Sequence, residues 1–422
     1  MSQSPADPAG QPAPFADAPP AAVELDARAA RVLTTELSRH PGPKTGLLID
    51  AEPGTPALDA ALDAVRPGDA LTLVGEGPAG DALRAHLAGL GSWLREQVRV
   101  VDGLGEADPA DVLIVCRPLT GSAEEARERI DGYTKYLAPG GVLVVAAPLY
   151  GAPAAGELDR QAVLFGVGSD LILRHRPPVR VHRLRWTEAD AATAAKLAPA
   201  ERPSSVRLTR DLRIDSNGVA AAGIALGAAA LLRLVRPRSR AWLVPALAAP
   251  AVAAFFRDPE RDLPADADAV VAPADGKVLS VERLVDERFG GGPGEWLRVA
   301  VFLSVLDVHV NRSPVAGRVA DYFVVDGGYA NAMTAAAEHN VAAYTVLDTE
   351  RGRVVVAQRT GLIARRIVHR APVGALLARG ERFGLIRFGS RTDVYLPADA
   401  AEAVVAPGER VVGGTTPIAR WS

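Results

Sequence analysis

The stretch "RFGSRTDVYLP", from Arg387 to Pro397, reads as two strands separated by a break at Gly389. The apolar and β-branched residues on both sides favour extended structure. Glycine permits a sharp bend because it has no Cβ. Ser390 stands directly after that glycine. We therefore predict a strand, a tight corner and a second strand, with the Ser390 hydroxyl placed at the corner.

Length and composition limit the classes of protein that this chain can belong to. Its 422 residues predict two domains, and 48% apolar residues with a net charge of -3 indicate folded globular material. The charge balance argues against a nucleic-acid partner. Cys116 is the one cysteine, so an internal disulfide and a cysteine-rich metal site are excluded, and we predict no metal. Its setting, "DVLIVCRP", predicts a buried strand.

Residues 1–25 are rich in proline and alanine and predict a disordered tail, because they have neither a cationic start nor an apolar run. Residues 26–200 alternate short apolar runs, such as "ADVLIVCRPL", with amphipathic segments, such as "SAEEARERIDGYTKYL". Strands spaced by helices of this length predict an α/β domain with a parallel sheet.

Residues 212–262 hold two apolar stretches, Gly218 to Leu232 and Ala241 to Phe256, on either side of the basic segment "RLVRPRSR". Each is shorter than the roughly 20 residues that a membrane-spanning helix needs. We predict an apolar helical hairpin that enters one leaflet, with its arginines at anionic headgroups. A helical hairpin buried in a soluble core is the alternative. Residues 263–422 form short β-rich runs divided by Gly, Pro and Asp, which predict a compact α+β domain.

A serine that follows a glycine at a sharp corner can attack the preceding carbonyl through its hydroxyl. The ester that results can undergo β-elimination, and hydrolysis of the dehydroalanine leaves a pyruvoyl group at the new N-terminus. Most Gly-Ser pairs are only turns, so this pair by itself is a weak signal.

Neighbouring motifs strengthen that signal. The runs "FFRDPER", "APADGKV", "DVHVNRSPVAGRV", "TGLIARRIV" and "GERFGLIRFGSRTDVYLP" occur in this order. As a set they resemble the short form of the phosphatidylserine decarboxylase family, over about residues 215–420. The resemblance implies a decarboxylase domain that cleaves itself between Gly389 and Ser390, so that a β chain of residues 1–389 and an α chain of residues 390–422 remain.

The resemblance also implies roles for particular residues. Ser390 becomes the pyruvoyl group, and Asp275 in "PADG" matches the acidic member of the family's Asp/His/Ser arrangement. His309 in "DVHVNRSP" matches the first histidine of the pattern DxHxxHxP, whereas the second falls on Arg312. Which group serves Ser390 as the base is therefore open. Histidine titrates near neutral pH, so His309 could take the serine proton or later protonate the substrate, with Asp275 orienting the imidazole.

The implied reaction needs no external cofactor, because the pyruvoyl ketone forms a Schiff base with the amine of phosphatidylserine and accepts the electrons released with CO2. The expected partners are phosphatidylserine, a membrane surface and the two cleaved chains, with a homo-oligomer left open. The expected location is the cytoplasmic face of the cell membrane, as a peripheral or monotopic protein. Arg365 and Arg366 either bind phosphate or pair with carboxylates.

The first domain carries a second, looser resemblance. "LTLVGEGPAG" places Gly75, Gly77 and Gly80 in G-x-G-x-x-G spacing between a predicted strand and a predicted helix, and "YLAPGGVLVV" follows later. Together they resemble class I S-adenosylmethionine-dependent methyltransferases, which implies a Rossmann-like fold and S-adenosylmethionine as a cofactor. The acidic residue expected before the first glycine is missing, and Asp102 is the candidate ribose ligand.

Three hypotheses follow from these patterns. The chain is a membrane-associated decarboxylase with an accessory α/β domain, or a bifunctional enzyme whose first domain also methylates, or a membrane scaffold without catalysis. Bound S-adenosylmethionine favours the second hypothesis, and an uncut Ser390 favours the third.

Overall fold

A computed structural model describes residues 23–201, 205–209, 211–289, 294–362, 366–387 and 390–422. Gly389 and Arg365, both named above, lie outside these ranges, as do residues 1–22 of the predicted tail. Leu25, placed in that tail by the sequence, is 5% exposed and packs in the core of the first domain.

The first domain is built on a seven-stranded sheet in the order β3-β2-β1-β4-β5-β7-β6. All neighbouring strands are parallel except β7, which is antiparallel to both β5 and β6. This order, with its single reversed strand, is that of the class I methyltransferase sheet, so the predicted Rossmann-like fold is confirmed. The strands are β1 (Thr45–Ile49), β2 (Ala70–Val74), β3 (Val98–Val101), β4 (Ala110–Val115), β5 (Leu137–Pro148), β6 (Gly166–Ile172) and β7 (Val179–Leu184).

Helices cover both faces of this sheet and bury two separate apolar clusters. Cys116, directly after β4, lies in the first of these clusters as predicted, and its thiol is free and buried. The helices are α1 (Ala27–Leu33), α2 (Thr35–Arg39), α3 (Pro56–Asp63), α4 (Gly77–Ala88), α5 (Ser92–Gln97), α6 (Ala123–Tyr133), α7 (Pro153–Phe165) and α8 (Ala191–Lys196). Ser122 and Glu125 form a capping box that fixes the start of α6.

The apolar segment forms two helices, α9 (Ser216–Val235) and α10 (Leu243–Phe255). Three short strands, β8 (Ser205–Arg207), β9 (Leu212–Asp215) and β10 (Arg257–Pro259), form a small sheet at their base. The predicted hairpin is confirmed, but the prediction that both stretches are too short to span a bilayer is wrong for the first. Asp215 caps α9, and the helix continues past Arg233, so it has 20 residues.

The surface of the hairpin is apolar and exposed. In α9, 11% of the most apolar window is buried, and its mean hydropathy is 1.9. Leu234 and Val244 are 80% and 73% exposed. The alternative of a hairpin buried in a soluble core is therefore wrong. By length and composition, α9 is the one helix within the described residues that could cross a membrane.

The C-terminal domain is dominated by an antiparallel sheet of eight strands in the order β19-β15-β16-β17-β21-β13-β12-β23, with two three-stranded sheets, β11-β24-β22 and β14-β20-β18, beside it. The predicted β-rich domain is confirmed. Its strands are β11 (Ala269–Val271), β12 (Gly276–Leu284), β13 (Trp296–Leu303), β14 (Val310–Arg312), β15 (Gly317–Val325), β16 (Ala342–Thr349), β17 (Gly352–Arg359), β18 (Ile367–His369), β19 (Leu376–Leu377), β20 (Arg382–Ile386), β21 (Ser390–Pro397), β22 (Ala401–Ala403), β23 (Arg410–Val411) and β24 (Pro417–Trp421).

The chain changes sheets between Ile386 and Ser390. β20 pairs with β14 and β18, whereas β21 pairs with β13 and β17 in the large sheet. The two strands predicted on either side of the corner are confirmed. β20 ends at Ile386 and β21 begins at Ser390, and the corner expected at Gly389 lies outside the described residues.

The two domains meet through a buried ion pair and a small apolar cluster. The Arg39 guanidinium contacts the Glu381 carboxylate, and both side chains are almost fully buried. Arg185 donates to the carbonyl oxygen of Gly374 over 2.7 Å. Ala194 on α8 packs with Leu376. Glu381 follows β19, so the first domain contacts the C-terminal domain just before β20.

Candidate active site

Ser390 is the first residue of β21 and is fully buried. It lies opposite Leu303 on β13. Its Oγ has no hydrogen-bond partner within the described part of the chain. A buried hydroxyl without a partner is costly, so such a group in a folded protein calls for a functional explanation.

The two faces of β21 differ sharply in charge. Thr392 points to the same face as Ser390, because strand residues alternate, and Val394 continues this face into the apolar core. Arg391 and Asp393 point to the opposite face, where the Asp393 carboxylate binds Arg391 over 2.6 Å and Arg359 over 2.7 Å. The alternation therefore keeps these charges away from the face that carries Ser390.

His309 lies in the loop between β13 and β14 and is 1% exposed. Its Nδ1 is 2.9 Å from the carbonyl oxygen of Asp307. A carbonyl oxygen can only accept, so Nδ1 carries the proton and Nε2 carries the lone pair. Nε2 has no partner among the described residues. His309 also connects to the cleavage stretch, since its carbonyl oxygen accepts from the Ile386 N–H over 3.2 Å.

Burial lowers the pKa of His309 to about 4, so the imidazole is neutral at physiological pH. Part of that burial comes from the hairpin, because the Phe255 ring of α10 packs on the imidazole. A neutral ring with an available Nε2 lone pair is the form that can accept a proton. Phe255 was not foreseen as part of the site, since it belongs to the apolar run of the hairpin.

The carboxylate of Asp275 has partners other than the imidazole of His309. Its carboxylate accepts from Arg261 over 2.7 Å and from the Gly413 N–H over 2.8 Å. The contact expected between Asp275 and His309 is therefore absent from the hydrogen bonds of the described residues, and the Asp307 carbonyl orients the ring instead. A catalytic role for Asp275 stays a prediction.

Arg312, which stands where the second histidine of the family pattern falls, is built into a buried network. Its guanidinium contacts the Asp258 carboxylate at 3.2 Å and the carbonyl oxygens of Pro259 and Gly380. Burial lowers the pKa of Arg312 to about 10, which still leaves it charged at neutral pH. A charged guanidinium has no lone pair to offer, so Arg312 does not act as the base.

Three polar residues on the same side of β21 as Ser390 were not predicted from the sequence. Asn311, Gln358 and Thr392 are all fully buried. Gln358 Nε2 donates to Asn311 Oδ1 over 2.6 Å, and Gln358 lies directly opposite Thr392 on the neighbouring strand. Asn311 Nδ2, Gln358 Oε1 and Thr392 Oγ1 have no partner in the described chain. The sequence did carry a signal for these residues, since each is a polar residue at an inward-facing position of a strand that is otherwise largely apolar.

The glycine motif of the first domain lies where the sequence placed it, between a strand and a helix, because Gly75 follows β2 and Gly77 begins α4. Close packing explains two of its glycines. A Cβ on Gly80 would lie 2.2 Å from the Gly75 carbonyl oxygen, and a Cβ on Gly75 would lie 2.9 Å from the Gly80 Cα. These glycines are therefore required by the fold itself. Asp102 pairs with Arg84 over 2.5 Å.

The strand order reverses between β1 and β4, and ligands of open α/β sheets bind at that point, beyond the carboxyl ends of the strands. The glycine motif follows β2 and so lies one strand away. At the reversal itself, Glu52 and Arg117 form an ion pair of 2.5 Å. Asp50 pairs with Arg129 over the same distance.

Comparison with known proteins decides the family. The family model for phosphatidylserine decarboxylase matches residues 249–419. A phosphatidylserine decarboxylase proenzyme of Symbiobacterium thermophilum is 53% identical over 168 residues, which cover 39% of this chain and 77% of that relative. The chain belongs to the phosphatidylserine decarboxylase family.

A second relative gives the same result for the decarboxylase half. The phosphatidylserine decarboxylase proenzyme of Geobacter sulfurreducens is 48% identical over 167 residues, which cover 39% of this chain and 75% of the relative. The matched part includes the hairpin end, the His309 loop and the strand that begins at Ser390. The recognition made from the motifs is therefore confirmed.

Solved structures that resemble part of this chain include several methyltransferases. The O-methyltransferase TomG from Streptomyces achromogenes is 15% identical with a TM-score of 0.27, covering 38% of this chain and 79% of that protein. An O-methyltransferase from Bacillus cereus is 12% identical with a TM-score of 0.28, covering 38% and 80%. At such values the similarity says nothing about activity.

Proposed function

We propose that this chain cleaves itself at Ser390 and then decarboxylates phosphatidylserine to phosphatidylethanolamine at a membrane surface. The observation that carries the proposal is the buried Ser390 hydroxyl, which has no partner in the described chain and stands at the start of β21. Family membership supplies the reaction class, and the site supplies a nucleophile and a neutral imidazole.

The cleavage step needs a base and a leaving nitrogen. The Ser390 Oγ attacks the Gly389 carbonyl carbon while its proton passes to Nε2 of His309. The C–N bond of the peptide breaks, the nitrogen takes a proton, and an ester remains. Loss of the Ser390 Cα proton then breaks the Cβ–Oγ bond and leaves Gly389 as a carboxylate. Water adds to the dehydroalanine and ammonia leaves, which produces the pyruvoyl group of the α chain.

The surroundings of Ser390 fit such a group, since they are buried and carry polar atoms without partners in the described chain. A pyruvoyl group supplies a carbonyl that condenses with an amine and takes up the electron pair released with CO2. His309 can hold or return a proton at Nε2 while Asp307 keeps the ring fixed. Arg391 and Asp393 lie on the opposite face of β21 and therefore do not contact the reacting group.

The exposed hairpin supports a membrane position for the site. Its apolar side chains lie outward, and the turn between α9 and α10 carries Arg236, Arg238 and Arg240. Arginines that lie at the membrane surface bind anionic lipid headgroups. The base of the hairpin touches the site through Phe255, which packs on His309. We propose a peripheral or monotopic protein on the cytoplasmic face of the cell membrane.

Two arginines at the hairpin base suit the phosphate of the substrate. Arg387 donates to the Asn217 side chain over 2.8 Å, and its Nε has no partner among the described residues. Arg366 is exposed, and its carbonyl oxygen accepts from the Arg387 N–H. Burial and the nearby Arg366 charge lower the pKa of Arg387, so an anion between them would relieve repulsion.

Intact mass spectrometry of the purified protein tests the proposal. The expected result is two chains, of which the smaller begins at residue 390 with a keto group in place of the serine amine, and release of CO2 from phosphatidylserine vesicles. A single unbroken chain that releases CO2 would overturn the self-processing mechanism. An unbroken chain without activity would favour the membrane scaffold.

The first domain supports a second candidate activity, the binding of S-adenosylmethionine followed by methyl transfer. The complete seven-stranded order is the observation in its favour. The ion pair between Glu52 and Arg117 at the strand reversal stands against it, because a ligand there must displace that pair. Titration calorimetry with S-adenosylmethionine on the full chain tests it, and absence of heat at high ligand concentration would reject it.

A further inference from the structure

Beside Ser390 lies a group of buried polar atoms that the self-cleavage chemistry does not use. We call Asn311, Gln358 and Thr392 the amide pocket. Asn311 Nδ2 and the Thr392 hydroxyl can donate, and Gln358 Oε1 can accept, yet none of the three has a partner in the described residues. All three side chains are fully buried. Burying three polar groups without partners destabilises a fold, so a ligand that hydrogen-bonds to them would stabilise it.

The arrangement of the amide pocket is fixed by its neighbours. The bond from Gln358 Nε2 to Asn311 Oδ1 sets the direction of both amides, so that Asn311 presents its NH2 group and Gln358 presents its oxygen. Gly384 makes room for this bond, because a Cβ there would lie 3.2 Å from Gln358 Nε2. Gln358 and Thr392 face each other on β17 and β21. The pocket is thus held by two strands of one sheet and by β14.

We propose that the amide pocket binds the amino-acid end of the lipid headgroup, with Asn311 and Thr392 donating to its carboxylate and Gln358 accepting from its amine. This inference rests on the proposed function. The amine must reach residue 390, and the carboxylate is attached to the carbon that bears the amine. It therefore lies on the Ser390 face of β21, where Thr392 is the next side chain along the strand.

The neutrality of the pocket suits decarboxylation. A guanidinium beside the carboxylate would stabilise the substrate and lose that interaction as CO2 leaves, which raises the barrier. Arg391 and Arg359 are held on the other face of β21 by Asp393, and Arg312 is held by Asp258. Neutral donors can position the carboxylate for recognition without holding it as firmly as an ion pair would.

Reductive trapping tests the inference, because phosphatidylserine and phosphatidylethanolamine share the amine but differ in the carboxylate. The mature protein is mixed with vesicles of either lipid and cyanoborohydride, and the lipid adduct of the α chain is measured by mass. Thr392→Val and Asn311→Asp should reduce adduct formation with phosphatidylserine by about tenfold, the cost of one hydrogen bond to a charged group. Adduct formation with phosphatidylethanolamine should change far less.

Thr345→Val is the matched control. Thr345 also carries a buried hydroxyl without a partner in the described chain, but on β16, two strands from β21. It should leave the ratio of the two adducts unchanged. Equal loss for both lipids in Thr392→Val would overturn the proposal. So would a Thr392→Val chain that stays uncut while Thr392→Ser is cut, since the hydroxyl would then serve maturation. If the unchanged protein forms no adduct with either lipid, the proposed function itself fails.

Discussion

The imidazole of His309 packs against the phenyl ring of Phe255, with 4.3 Å between the two ring centroids. Phe255 is the last residue of α10, so the apolar hairpin directly covers a candidate catalytic base. Desolvation is the main cause of the low pKa of His309. The hairpin therefore contributes to the protonation state of the site in addition to the membrane contact proposed for it.

Phe255→Ala should raise the pKa of His309 from about 4 towards 6.5, because water gains access to the ring. Below that pKa the imidazole is protonated and cannot act as a base. The pH at which self-cleavage of newly translated precursor is half lost should therefore move upward. Leu247→Ala, in the same helix but at a side chain 71% exposed, should leave it unchanged. An unaltered midpoint in Phe255→Ala would show that the ring does not control the titration.

Ser390→Ala should remain one chain and release no CO2, because the methyl side chain has no nucleophile. Gel electrophoresis and intact mass measure the first outcome, and release of labelled CO2 measures the second. Ser280→Ala removes an exposed hydroxyl that binds Glu282, and it should mature normally. Cleavage of the Ser390→Ala chain at the same bond would mean that another group opens the peptide.

His309→Ala should slow self-cleavage by a factor of about 10² to 10⁴, the usual contribution of a general base. The time course of precursor loss measures this, and added imidazole should restore part of the rate. His339→Ala, at an exposed histidine, is the control. If His309→Ala is cut at a normal rate but releases no CO2, His309 serves the decarboxylation step instead.

Arg39→Ala should destabilise the protein by about 3 to 5 kcal/mol, because it removes the guanidinium from the buried Glu381 carboxylate at the domain interface. Urea denaturation followed by tryptophan fluorescence measures the change. Arg31→Ala, on the exposed side of α1, should alter stability little. A result for Arg39→Ala equal to that of the control would show that the interface does not depend on this pair.

Acid should destabilise the protein through its buried neutral histidines. Burial lowers the pKa of both His182 and His309 to about 4, whereas in the unfolded chain each has a pKa near 6.5. The unfolded state therefore binds more protons as pH falls from 6.5 to 4, and stability is lost across this window. Each imidazole should cost about 2 kcal/mol at pH 5 relative to pH 8. Urea denaturation at pH 5 and pH 8 measures the free energy of unfolding at each pH. The difference between the two values should be about 2 kcal/mol smaller in His182→Gln. An unchanged difference would contradict the prediction.

Local patterns in the sequence predicted most elements of the fold, and the resemblance of its motifs to the decarboxylase family implied Ser390 and His309 as site residues. They could not predict the amide pocket, because Gln358 meets Thr392 only through the register of β17 and β21, and meets Asn311 only through the packing of β14 against that sheet. The expected orientation of His309 by Asp275 likewise depended on a distant contact, and a carbonyl next to the histidine takes that role. The length of α9 was underestimated because its capped first turn and last turn include polar residues.

Ser390 begins β21, which lies between two strands that precede it in the sequence, and this placement matters for unfolding after cleavage. Once the bond before it is opened, β21 still lies between β13 and β17, so the short chain stays embedded in the sheet that the long chain builds. Before cleavage, folding joins parts of one polymer. After cleavage, unfolding would release two separate polymers whose reunion depends on their concentration. The proposed maturation would therefore make unfolding hard to reverse, because a protein that folded as one chain would have to refold by association of two.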